Sequence, residues 1–201
     1  MTADERTTKD RIIEAAHETL KEEGFAGTSA RSIARRGNFN QALIFYHFGT
    51  INDLLLAALD RTSELRMAKY RDRIQGASTF GEAVRVATEL YREDLASGHI
   101  TVLSELIAGS LDRPDLAPEI LKRNEPWIDL AEDAARNVLG PLGLLEMVPP
   151  RTVAYAIVAL YLGIDLLSHL EQDDTRAEAL FDAAGVLATL AGRLTGNTDD
   201  G

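Results

Sequence analysis

The segment IARRGNFNQALIFYHFGT, residues 33–50, decides the fold. An Ile-Ala pair and two arginines run into Gly37-Asn38, the two residue types that most easily adopt a left-handed backbone, so a helix must end there. Asn40 then offers its side chain as the N-cap of a short helix from Gln41 to about Tyr46. Two short helices joined by a tight turn with Gly or Asn at its bend form a helix-turn-helix, whose second helix is presented outward to a DNA major groove. Phe39, Ile44, Phe45 and Phe48 are expected to pack inward, leaving Gln41, Ala42, Leu43 and Tyr46 outside.

Upstream, Ile12, Ile13, Ala16 and Leu20 form the apolar stripe of an amphipathic helix that stops near Gly24, and Thr28 and Ser29 offer caps to the helix through Ile33. Downstream, Thr50 and Asp53 have the spacing of a capping box and open a long helix to about Ile74. Further helices are expected at about 79–96, 100–111, 117–139, 150–169 and 175–194, separated by Gly76, Ser97-Gly98, Pro114, Gly140-Pro141 with Pro149-Pro150, and Gln172-Asp173-Asp174. Nothing alternates with a period of two, so the chain reads as all-α with about nine helices.

Charge divides the chain near residue 50. Residues 1–50 hold seven bases and seven acids, whereas the remaining 14 bases and 25 acids put the entire net charge of −11 beyond that point. An acidic body repels nucleic acid, so any polyanion contact belongs to the first 50 residues. With 45% hydrophobic and 26% charged residues the chain reads as an ordinary globular protein, and the lack of cysteine excludes disulfides, thiol catalysis and thiolate metal sites. The charged MTADERTTKDR start does not read as a secretory signal. The longest uncharged apolar stretch, Thr152 to Ile164, is thirteen residues, short of a bilayer span, so a soluble cytoplasmic protein is expected.

Enzymatic chemistry finds little support. Glu14 and His17 make one Glu-x-x-His, half of a di-iron carboxylate signature, but neither His99 nor His169 has a glutamate three residues before it. Gly-x-Ser-x-Gly, a phosphate-binding glycine loop and His-Glu-x-x-His are all absent. No metal, cofactor or catalytic residue is expected.

The stretch GFAGTSARSIARRGNFNQALIFYHFGTINDLL, with the helical layout around it, resembles the TetR family of transcriptional repressors. The Thr-Ser start, Ile-Ala pair, turn, aromatic pair and His-Phe-Gly all fall at family offsets over roughly residues 8–60; beyond them only the layout agrees. The resemblance implies a homodimer with a DNA-binding domain at residues 1–50 and a ligand-binding and dimerisation domain at 51–201. Its two heads would bind a double-stranded, palindromic operator and release it when a small-molecule inducer binds. A same-fold ligand-binding dimer without operator function, and an activator, remain as alternatives.

Residue roles follow from the resemblance. Gln41 is placed to read adenine, Arg31 to reach guanine O6 and N7, and Leu43 to rest on a thymine methyl, with Ala42 beside them. Thr28, Ser29, Asn40, Tyr46, His47 and Thr50 match positions that hold or flank phosphates. Without the motif, Arg35 and Arg36 read as a solvated helix end, and His47 reads equally as a C-cap donor. Family members commonly carry lysine where this chain has Ile51, so a phosphate contact is lost and the salt slope should fall by about one unit.

In the body, the resemblance places Tyr91, His99, Leu103, Glu105, Trp127, Tyr155 and Tyr161 around a ligand pocket, with Glu105 as a polar anchor or the partner of an arginine. The Ala- and Gly-rich segments 152–167 and 177–192 suit a symmetric four-helix dimer interface, with Ala154, Val158, Asp165, Ala184, Ala188 and Ala191 expected on it. A tightly packed core within one chain is the alternative.

Overall fold

The computed structural model describes residues 7–171 and 173–195. The side chains of Asp165 and Ala191, both expected at an interface, lie outside the described residues. Among the described residues there are nine α-helices and no strand: α1 Thr8–Gly27, α2 Ala30–Gly37, α3 Ala42–Phe48, α4 Ile51–Gly76, α5 Phe80–Ser97, α6 His99–Asp112, α7 Leu116–Leu139, α8 Pro150–Glu171 and α9 Thr175–Thr195. Two single 3-10 turns, Gly140–Leu142 and Leu144–Glu146, connect α7 to α8.

Local chemistry sets the boundaries. α1 begins on a capping box between Thr7 and Asp10, and Gly24 breaks it at φ +68° before a final turn to Gly27. α2 begins on a box between Ser29 and Ser32, so Ser29 rather than Thr28 is the cap. For α4, the Asp53 amide donates to Thr50 Oγ1 at 3.0 Å and the Thr50 hydroxyl donates to Asp53 at 2.6 Å, but the Thr50 amide donates to the Phe48 carbonyl at 3.0 Å, so only half of the expected box forms.

The chain divides into two compact units, residues 1–66 with 98–123, and residues 67–97 with 124–201. In the first unit α1 packs against α2 and α6 over a core of Ile12, Ala16, Leu20, Ile33, Ile44 and Leu54. The compact unit is therefore larger than the first 50 residues, because it takes in α6. Arg123 from α7 forks onto both carboxylate oxygens of Asp60 on α4, at 2.8 and 3.1 Å, and closes its outer edge.

In the second unit α5 packs against α9. Tyr70, Val86 and Leu90 form a buried cluster flanked by Ile74, Trp127 and Tyr161. Tyr91 meets Tyr161 edge-on at 6.1 Å and Phe181 at 5.1 Å between centroids. Its hydroxyl lies 2.8 Å from Ser168 Oγ, and the Tyr161 hydroxyl donates to buried Asp94.

One sequence expectation is corrected on α8. The window Pro150–Ser168, nineteen residues with mean hydropathy 1.4, is long and apolar enough to cross a membrane by length and composition alone, where the sequence suggested thirteen residues. The longer figure arises because the window tolerates a charge at each end. Within this unit α8 leaves Tyr155, Ile157, Leu160, Leu166, Leu167 and Leu170 exposed, and α9 leaves Leu180, Val186, Leu187 and Leu190 exposed. Ala154 and Ala188, expected on an outer interface, are instead buried in the unit, while Val158 and Ala184 are half-buried. Both faces of these helices are apolar, so hydrophobic period alone does not tell inside from outside.

Candidate nucleic-acid interface

The turn between α2 and α3 is built as its residues require. Asn38 takes φ +51°, ψ +54°, and the Phe39 amide reaches back to the Ala34 carbonyl at 3.1 Å. Gly37 is needed for a different reason: a Cβ there would lie 2.1 Å from the Phe39 ring and 3.0 Å from the Ala15 methyl. The Arg11 guanidinium donates to the Gly37 carbonyl at 3.2 Å, so α1 also holds the turn. Asn40 Oδ1 then accepts the Ala42 amide at 2.9 Å, from one residue ahead of the N-cap Gln41, so α3 starts at Ala42 rather than Gln41.

These constraints fix what α3 shows to solvent. Ile44 is fully buried and anchors the helix, whereas Gln41 and Ala42 are exposed, Leu43 is half-buried and Tyr46 is 82% exposed. Phe45, expected in the packing, is 49% exposed, because it sits about 100° round the helix from Ile44. Phe39 and Phe48 are half-buried, and the Lys9 ammonium lies 5.5 Å from the Phe48 ring centroid. His47 is half-buried and stands edge-on to Tyr46 at 5.0 Å.

At the start of α2, Ser29 and Arg31 are exposed, and Arg31 has no acidic partner among the described residues. Thr28 donates its hydroxyl to the Gly24 carbonyl at 2.6 Å, leaving lone pairs but no proton for a phosphate. The Thr50 hydroxyl is likewise engaged, on Asp53, and Asn40 and Gln41 are both open to solvent. Arg35 and Arg36 are ion-paired with α1. Arg35 meets Glu23 at 3.2 Å and Arg36 meets Glu22 at 2.5 Å and Glu23 at 3.7 Å. The Arg36 bond holds the Glu22 carboxyl below its usual range and raises the guanidinium in turn. Such exposed pairs contribute little to stability, and they tie both guanidiniums to α1.

No metal-binding cluster of His, Cys, Asp or Glu occurs among the described residues. His17 places Nδ1 3.2 Å from Glu18 rather than joining Glu14 in a metal site.

Comparison with known proteins identifies this head. Residues 12–58 match the family model described as "Bacterial regulatory proteins, tetR family". Residues 12–58 are thus similar to the DNA-binding segment of the TetR family. It is 25% identical over 196 residues, 97% of each chain, to the HTH-type transcriptional regulator UidR of Escherichia coli strain K12. Over 49 residues, 24% of this chain and 26% of the other, it is 47% identical to the HTH-type transcriptional repressor Rv3405c of Mycobacterium tuberculosis H37Rv. Among solved structures, the multidrug binding protein EbrR complexed with malachite green aligns with TM-score 0.62 at 27% identity, covering 91% of this chain and 99% of that one. These relatives are transcriptional regulators rather than enzymes.

The residues expected at a ligand pocket fall into separate groups. Trp127 and Tyr161 flank one cluster in the second unit and Tyr91 meets Tyr161, while their partners Asp94, Ser168 and Phe181 were not legible from the sequence. Tyr155 is 65% exposed on α8. His99, Leu103 and Glu105 belong to the first unit: His99 Nδ1 lies 2.7 Å from Thr62 Oγ1, Leu103 is core, and Glu105 accepts the Phe25 amide at 2.6 Å. Glu105 therefore meets a backbone amide of α1, neither an arginine nor open space.

Proposed function

We propose that the protein is a homodimeric repressor that binds a palindromic operator through Arg31, Gln41, Ala42 and Leu43, with Ser29, Asn40, Tyr46 and His47 at the backbone and Thr28 and Thr50 beside it, and releases it when a small molecule binds the body. The observation that carries this reading is the exposed face of α3, held by the Asn38 turn with Gln41, Ala42 and Tyr46 open to solvent. The name of Rv3405c supports repression, and the malachite green bound to EbrR supports a small-molecule effector.

In this reading residues 1–50 carry DNA recognition and residues 51–201 carry ligand binding and dimerisation. The aromatic group around Tyr91, Trp127 and Tyr161 is the proposed ligand wall, in the cytoplasm where the DNA is. α4, which contributes residues to both units, is the proposed carrier of the signal. A ligand shifts the DNA-spaced population only by its differential affinity for the two forms.

The test is selection from a random duplex library at low and physiological salt, comparing wild type with Gln41→Ala. Enrichment of a palindrome that relaxes at one base pair in the variant, losing about 1–3 kcal/mol there, is expected. A folded, ligand-free dimer that enriches nothing at either salt would overturn operator binding.

A further inference from the structure

Glu105 lies on α6, yet its carboxylate is spent on the head. The break of α1 at Gly24, φ +68° and ψ 176°, takes the following amide out of regular helical bonding. That Phe25 amide donates to Glu105 Oε2 at 2.6 Å, across 80 residues of sequence. A Cβ on Gly24 would stand 3.1 Å from the same oxygen, so glycine serves both the bend and the approach.

One turn further along the same face of α6, Gly109 seats the Phe25 ring; a Cβ there would lie 2.6 Å from three ring carbons. The connection held in this way leads directly to the start of α2. Thr28 donates its hydroxyl to the Gly24 carbonyl at 2.6 Å and its amide to the Phe25 carbonyl at 3.2 Å, and Ser29 caps the helix that carries Arg31.

We propose that Glu105 is a positioning residue for DNA binding, which fixes the Gly24–Thr28 connection so that Ser29 and Arg31 enter the duplex together. The proposal rests on the DNA-contact reading of α2 and α3. Glu105 acts through the Phe25 amide and touches no nucleotide. Its role requires an acceptor oxygen at this point rather than a charge, so glutamine should serve.

The experiment measures affinity for the duplex that wild type enriches from a random library, and for its single base-pair variants, with wild type, Glu105→Ala, Glu105→Gln and Gly109→Ala. Glu105→Ala should lose roughly tenfold in affinity, and discrimination at one G·C pair should relax as Arg31 leaves the interface. Glu105→Gln should restore both. Gly109→Ala, which keeps the carboxylate but displaces the Phe25 ring, should reproduce the relaxed discrimination, and it decides the matter if Glu105→Ala does not fold.

A loss of affinity with wild-type discrimination at every base pair in both alanine variants would show only a smaller folded fraction, and would overturn the positioning role. So would Glu105→Ala binding like wild type. If wild type itself enriches no duplex, the DNA reading fails and the proposal fails with it.

Discussion

His99 is 3% exposed on α6, with Nδ1 against Thr62 Oγ1. The Thr62 hydroxyl donates to the Leu59 carbonyl at 3.0 Å, so its lone pair is available to an Nδ1 proton. Burial, followed by the charges of Arg66 and His17, lowers the His99 pKa well below 6.5. The folded protein therefore holds His99 neutral, while the unfolded chain takes up a proton below about pH 6.5. This contribution to stability is complete above that pH and is lost as pH falls, by up to about 1.4 kcal/mol per unit. Denaturant melts of His99→Gln between pH 7 and 5 should show a flatter decline than wild type. An equal decline would mean that His99 titrates normally in the fold. Ile51 makes a second test at this scale. If it stands where a phosphate-contacting lysine is missing, Ile51→Lys should steepen the salt slope of duplex binding by about one unit.

The elements of the head were largely legible in the sequence because their ends are set by local chemistry. Ser29, Asn38, Asn40 and Thr50 each act through neighbours within a few residues, and each does what its type predicts. Gly37 does not follow from dihedral preference, since the left-handed residue is Asn38 and Gly37 is there for the Phe39 ring. Gly37→Ala should accordingly cost about 1–3 kcal/mol in thermal or denaturant unfolding, through displacement of Phe39 rather than backbone strain. Asn38→Gly should be near neutral, because it relieves a left-handed residue. The contacts that escaped the sequence are those between distant segments. Glu105 with Phe25, Arg123 with Asp60, and Asp94 with Tyr161 are 80, 63 and 67 residues apart, and no periodicity encodes such a pairing. Phe45 follows Ile44 by about 100° around α3, so it cannot share the buried face that Ile44 occupies.

For the whole molecule, the outer surfaces of α8 and α9 demand an explanation. Leu160, Leu167 and Leu170 on α8 repeat at steps of seven and three, and Leu180, Leu187 and Leu190 on α9 repeat at the same steps. A Cβ on Gly163 or Gly185 would meet nothing within 4 Å, so these helices carry open small-residue positions beside exposed leucines. Burying one such leucine contributes about 1.5–3 kcal/mol, and a two-fold partner would bury each of them twice. A second copy of the chain seated on these leucines is the dimer proposed above, and the apolar composition that makes α8 membrane-length would then serve that contact. Leu160→Glu with Leu187→Glu would place four carboxylates in that interface, which an apolar contact cannot neutralise. Sedimentation at micromolar concentration should show wild type as a dimer and the double variant as a folded monomer, with duplex affinity falling because the two heads no longer bind as one unit. A double variant that remains dimeric would place the interface elsewhere and leave the exposed leucines without a covering partner.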